Sequence, residues 1–175
     1  MQYLNRKKKF NALTNPLVNI VLDRPRIAAN IASIARLSVG TASALHVCGP
    51  LVFESNDKTA WRAGLDYFYG VRIHFHKSID KCLQLLGKNP WLIETSGEKV
   101  VWQADFQTSD VIVFGPEDAN IDENTMVKHQ ARILRLPQLG PVRSYNLAQC
   151  VAAVTFEAMR QLETKSVSGD SLHDS

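Results

Sequence analysis

The chain has 175 residues, 45% hydrophobic and 21% charged, with a formal net charge of +3. That is length for one globular domain with a real core, and a charge too small to argue a nucleic-acid partner by itself. Cys48, Cys82 and Cys150 stand alone in apolar surroundings with no C-x-x-C; they read as buried thiols of a reducing compartment, which makes cytoplasm the expected location.

In chain order, Arg6-Lys7-Lys8-Lys9 forms a cationic run within residues 1–16, a basic flexible extension by its pattern and, as a second reading, an arm that touches phosphate. LVNIVL (17–22) is a β-branched run too short for a secretory core or a membrane span, and it predicts a buried strand. NIASIARLSV (30–39) follows as a helix, with Asn30 as its cap and Arg36 away from the Ile31/Ile34/Ala35 stripe. ALHVC (44–48) is a strand, DKTAWRAGL (57–65) a helix and VRIHF (71–75) a strand. SIDKCLQLLG (78–87) is a short helix stopped by Gly87. WLIET (91–95), DVIVF (110–114) and RILRL (132–136) are strands, with DENTMVKHQ (122–130) a helix between the last two. A long final helix carries Leu147, Cys150, Val151, Val154, Ala158 and Leu162 on one stripe, and a polar, disordered tail is expected from residue 164.

Alternating strands and helices define an α/β protein with a mostly parallel sheet covered by helices on both faces. Ligands of such sheets bind beyond the carboxyl ends of strands, which singles out TSG (95–97), GPED (115–118) and PQLGPVRSYN (137–146). A G-x-G-x-x-G after the first strand, a phosphate-binding G-x-x-x-x-G-K-[ST] and a G-x-S-x-G elbow are all missing from the sequence. His74 and His76 share one strand face, but with no third ligand nearby in sequence they read as half-exposed strand histidines, and no metal is expected. In VIVFGPED, Gly115 permits close approach, Pro116 ends pairing and Glu117 is held at the strand end; a plain tight turn is the competing reading. Asn146 is a natural N-cap of the last helix, with Gln149 spaced to reach back, yet capping leaves Gly140-Pro141-Val142-Arg143 unexplained.

Three separated stretches, NIVLDRPRIAANIASIARL, FGPE (114–117) and RLPQLGPVRSYNLAQCVAAVTFEAMRQL, together resemble the SPOUT-superfamily RNA 2′-O-ribose methyltransferases. RAGLDY (62–67) resembles the small TrmL-like branch, which methylates the tRNA wobble nucleotide, cytidine or uridine, and the likeness spans roughly residues 17 to 163. The resemblance implies a homodimer, a carboxyl-terminal trefoil knot and S-adenosylmethionine as cofactor, with tRNA as partner and no metal. It implies that Ile93, Thr95, Gly115, Glu117, Leu136 and Ser144 surround the cofactor. It sets Arg36 near the reacting ribose, with Asn30 and Asn146 organising the site. A guanidinium, with an ordinary pKa above about 12, is a poor base at neutral pH, so the preferred role for Arg36 is to hold RNA phosphate and ribose. Arg62, Arg143 and the Arg6–Lys9 run are candidates for phosphate contact, Trp61 and Tyr145 for base stacking.

The sequence departs from the family pattern at several points. Ala28 and Ala29 replace a proline pair, Ala32 a common glycine, Thr41-Ala42-Ser43 a Gly-Phe, and Ala148 a serine. Asn120 stands where a glycine is usual and is expected to enter left-handed backbone. These changes lie toward the RNA and put the target nucleotide in question. The alternatives are another tRNA or rRNA nucleotide, or a catalytically silent RNA-binding homologue.

Overall fold

The structure is a computed structural model that describes residues 15–50 and 73–170. The expected helix at 57–65, Trp61, Arg62, the 62–67 stretch and the Arg6–Lys9 run lie outside the described residues. Seven parallel strands form one sheet: β1 (Val18–Asp23), β2 (Ala44–Cys48), β3 (Ile73–His76), β4 (Trp91–Ile93), β5 (Lys99–Val100), β6 (Asp110–Phe114) and β7 (Ile133–Arg135), in the order β3-β2-β1-β6-β4-β7-β5. The helices are α1 (Ala28–Gly40), α2 (Ile79–Leu86), α3 (Glu123–Lys128) and α4 (Leu147–Asp170).

Strand side chains alternate between two apolar layers, as the pleat requires. Val18, Ile20 and Leu22 of β1, Leu45 and Val47 of β2 and Ile112 and Phe114 of β6 face α1 and α4. Their neighbours Val21, Cys48, Val111 and Val113 face the opposite layer, which holds Ile79 and Cys82 of α2 together with Ile121. Both faces are covered, so the central strands read as unbroken apolar runs and are legible without strict alternation. β2 and β6 match their expected limits to the residue.

The connection from β5 to β6 carries Val101, Ala104 and Phe106 over the α1/α4 layer. The connection from β6 to β7 carries Ile121 and Met126 over the other layer, after which β7 inserts between β4 and β5. Gly97 presses on that inserted strand: a Cβ there would stand 2.6 Å from the Leu134 carbonyl carbon, which no side chain could relieve. Among the described residues no helix is long and apolar enough to cross a membrane.

Several boundaries differ from expectation. α1 begins two residues before Asn30, which is buried inside its first turn and is not its cap. α4 runs through Asp170, past the expected tail boundary at 164. β4 stops at Ile93, α3 is shorter than its pattern, and the two-residue β5 carries too little sequence to be foreseen. α2 behaves as read, with Ser78 Oγ accepting from the Lys81 amide and Gly87 left-handed at φ 62.

α1 ends in a paired-carbonyl closure usually reserved for glycine. The Ala42 amide donates to the Val39 carbonyl (3.3 Å) and the Ser43 amide to the Ser38 carbonyl (2.9 Å), with Ala42 left-handed at φ 54. A Cβ in that conformation costs about 1–2 kcal/mol, offset in part by the greater freedom of glycine in the unfolded chain. Ala42→Gly is therefore expected to stabilise the protein by up to about 1 kcal/mol, read as a rise in the urea midpoint at unchanged slope.

Candidate functional site

The carboxyl ends of β4, β6 and β7 open into one cleft. Its walls include Ile93, Thr95, Gly115, Glu117, Leu136 and Ser144, all six residues expected around a cofactor. Arg143 and Tyr145, expected to face RNA, line the same cleft. The floor is apolar, with Ile93, Phe114, Leu136 and Leu147; the rim is polar.

Three loops meet at a chain of side-chain hydrogen bonds. Glu117 Oε2 accepts from the Arg26 amide at 2.8 Å, and Oε1 accepts from the Ile27 amide at 3.2 Å and from Asn30 Nδ2 at 2.8 Å. Asn30 Oδ1 in turn accepts from Asn146 Nδ2 at 3.0 Å. Asn146 Oδ1 then accepts from the Ala148 amide at 2.9 Å and the Gln149 amide at 3.4 Å, capping α4. The amide orientations of both asparagines are fixed by these partners: Glu117 offers only acceptors, so Asn30 must turn its nitrogen to it and its oxygen to Asn146. Capping and site-building are one arrangement in Asn146, whereas Ser144 is exposed on the loop and does not cap.

α1 has no local cap, since Ile27 supplies no side-chain acceptor. The Glu117 carboxylate stands in from the loop after β6, where negative charge also complements the helix N-terminus. Both its oxygens are committed to three donors, so Glu117 positions the loops.

A second carboxylate, Glu94, was not anticipated from the sequence. Its Oε1 accepts from the Ile121 amide at 2.7 Å and packs over Gly115, where a Cβ would come within 3.0 Å of that oxygen and 3.1 Å of the Ile121 nitrogen. The only sequence hint is an acidic residue directly before Thr95 at a strand's carboxyl end. Burial pushes the Glu94 carboxyl above its ordinary range, partly countered by the Ile121 and Thr95 amides. Asn120 does not take the left-handed conformation expected of it; among the described non-glycine residues only Arg24, Ala42 and Ser109 have positive φ. Its carbonyl accepts from Arg24 Nη2 at 3.4 Å instead.

The loop from 137 to 146 is closed on itself by Tyr145 Oη donating to the Pro137 carbonyl at 3.0 Å. Gln138 belongs to the cleft wall, and its Nε2 is buried without a protein partner, an unmet donor beside the space a ligand would fill. An apolar floor, a glycine that keeps the wall thin and an unmet donor fit a purine nucleoside with a sulfonium-bearing amino-acid tail, the shape of S-adenosylmethionine. Arg36 lies apart: it is exposed on α1, six residues or about 9 Å beyond Asn30 along the axis, and does not line this cleft.

The chain belongs to the SpoU rRNA Methylase family, whose model matches residues 17–156. It is 35% identical over 147 residues to a tRNA (cytidine(34)-2′-O)-methyltransferase of Methylovorus glucosotrophus, covering 83% of this chain and 96% of that protein. A solved structure concerned with the 2-OH methylation of C/U34 on tRNA superposes with a TM-score of 0.77 at 33% identity, covering 84% of this chain and 97% of the other. The SpoU methyltransferase AviRb of Streptomyces viridochromogenes, in complex with AdoMet, shares the fold with a TM-score of 0.73 at 21% identity, over 87% of this chain and 63% of that one.

Glu117→Ala removes the acceptor of three donors and should destabilise the protein by about 1–3 kcal/mol in urea unfolding, while Glu117→Gln, which keeps one oxygen in place, should recover much of the loss. Glu94 gives a pH signature. Because its folded pKa is raised, the folded chain holds the extra proton more tightly than the unfolded chain, so stability falls as pH rises from the ordinary carboxyl range through the folded value. Glu94→Gln keeps an oxygen for the Ile121 amide and removes the charge; urea melts from acid to neutral pH should lose that decline, and the variant should gain on the wild type at neutral pH.

Proposed function

We propose that the protein is an S-adenosylmethionine-dependent methyltransferase that modifies the ribose 2′-oxygen of the tRNA wobble nucleotide, cytidine or uridine. The observation that carries this reading is the Glu117–Asn30–Asn146 hydrogen-bond chain, which joins the three motif loops around a cleft of the right character. The similarity to relatives named for cytidine-34 2′-O-methylation supports the choice of substrate.

The cofactor, when bound, supplies an electrophilic methyl on sulfur. Ile93, Leu136 and Leu147 would cover its adenine, and Gly115, Ser144 and Gln138 would meet its polar edges. Asn30 and Asn146 hold the loop from 137 to 146 at a fixed distance from α1, so the methyl and the attacking oxygen can be aligned; such alignment is worth up to about 7–11 kcal/mol in good intramolecular models. Arg143 at the rim would hold RNA phosphate.

Arg36 would act on the ribose and its phosphate. Its absence from the walls of the cleft in its own chain favours a homodimer in which a second copy brings Arg36 to the reacting ribose. Ile27, Val142, Tyr145 and Phe156 are exposed apolar side chains on the elements bordering the site, as such an assembly would need. The insertion of β7 between β4 and β5, with its flanking crossings on opposite faces, favours a trefoil knot. Cytoplasm is the location this substrate implies.

The test is incubation with labelled S-adenosylmethionine and bulk tRNA from cells lacking wobble ribose methylation, followed by nucleoside mass spectrometry. Label is expected in a wobble 2′-O-methyl nucleoside. Arg36→Ala should retain cofactor binding by calorimetry and lose about 10²-fold or more in transfer rate; full turnover by that variant would remove Arg36 from the mechanism. Transfer only to another tRNA or rRNA position would move the target, and no cofactor binding at all would leave a silent RNA-binding homologue.

A further inference from the structure

Two histidines and two cysteines converge on the sheet face opposite α1 and α4, away from the cleft. Strand register puts them there: His46 and Cys48 lie two apart on β2, and Cys48 pairs with His76 on β3. α2 lowers Cys82 onto the same face. The ligating atoms of His46, His76 and Cys82 all lie within 4.8 Å of one another, and Cys48 is buried in the same layer. His46 is 4% exposed and both cysteines are fully buried, while His76 is half-buried and leaves a way in.

The hydrogen-bond pattern around His46 is that of an oriented ligand. Asn19 Nδ2 donates to the Ser109 carbonyl at 2.8 Å, which can only accept, so Asn19 presents its oxygen to His46 Nε2 at 3.3 Å. His46 Nε2 therefore carries the proton, and the Nδ1 lone pair points at His76 Nε2, 3.0 Å away. A buried histidine whose far nitrogen is pinned by an acceptor, leaving the near lone pair aimed at a second imidazole and a thiol, is how proteins hold histidine ligands. Zinc–nitrogen bonds of about 2.0–2.1 Å in tetrahedral geometry set the two nitrogens roughly 3.3 Å apart, a few tenths of an ångström beyond the present contact.

We propose that His46 Nδ1, His76 Nε2 and Cys82 Sγ form a three-residue site for a tetrahedral, thiolate-accepting divalent cation, zinc by ligand type, with water as the fourth ligand. Binding of one Zn²⁺ releases the Cys82 thiol proton to solvent, while His76 moves its proton from Nε2 to Nδ1, so one thiolate and two neutral imidazoles hold the ion. The ion would staple β2, β3 and α2, the edge of the sheet farthest from β5.

The test uses reduced, metal-free full-length protein titrated with Co²⁺ and then Zn²⁺. One equivalent of Co²⁺ should give intense tetrahedral d–d bands with thiolate-to-cobalt charge transfer, bleached by one equivalent of Zn²⁺, and Zn²⁺ should raise the melting temperature. Cys82→Ser should lose charge-transfer intensity. His76→Ala, at the half-buried position, should melt like the wild type without metal, yet bind Zn²⁺ more weakly by more than the roughly 10–100-fold that losing an outer-shell partner costs. A pale octahedral cobalt spectrum, or unchanged zinc affinity in His76→Ala, would overturn the site.

Discussion

The structure depends on one carboxylate that belongs to neither element it organises. Glu117 lies on the loop after β6, yet its oxygens receive the amides that lead into α1 and the side chain of Asn30. Through Asn30 it reaches Asn146 and the first turn of α4. Two helices on one face of the sheet and a strand-end loop are thereby held in mutual register by polar contacts, while Ile31, Ile34, Val151 and Val154 supply the apolar packing beneath. Hydrophobic burial is non-directional and would tolerate a slide of α4 over α1; hydrogen bonds with fixed donor and acceptor sense do not.

Close backbone contact is the second constraint. Gly97 lies on the β7 backbone and Gly115 beneath Glu94, so the strand-end loops approach more closely than side chains permit. The cleft is the space left when these loops are drawn together, walled by Ile93, Thr95, Leu136 and Ser144. It sits beyond the carboxyl ends of the parallel strands, where ligands of open α/β sheets bind.

Much of this was legible from residues alone. Apolar, β-branched runs marked β1, β2 and β6, and the α/β pattern singled out the loops at 95–97, 115–118 and 137–146, residues of which line one cleft; the six residues named around a cofactor came from the family resemblance. What escaped depends on partners distant in sequence. The start of α1 is set by a carboxylate some ninety positions later, so Asn30 looked like a local cap and proved to be a buried link. Glu94 carries no pattern that distinguishes it from a solvated strand-end acid. His74 and His76 read as two half-exposed strand histidines because the sequence does not display the register of His76 with Cys48 or the descent of α2. Asn120 avoided the left-handed backbone its position suggested, while Ala42 entered it with no side-chain reason to do so.

The remote anchoring of α1 also orders events during synthesis. When β1, α1 and β2 have left the ribosome, the acceptor for the Arg26 and Ile27 amides has yet to be made, and so has β6, the strand that pairs with β1 on its other side. A short amphipathic helix without its terminal partner is marginal in water. Until residues 110–117 are made, β1 lacks one of its two pairing strands and α1 its terminal acceptor, so completing this part of the sheet is a long-range event.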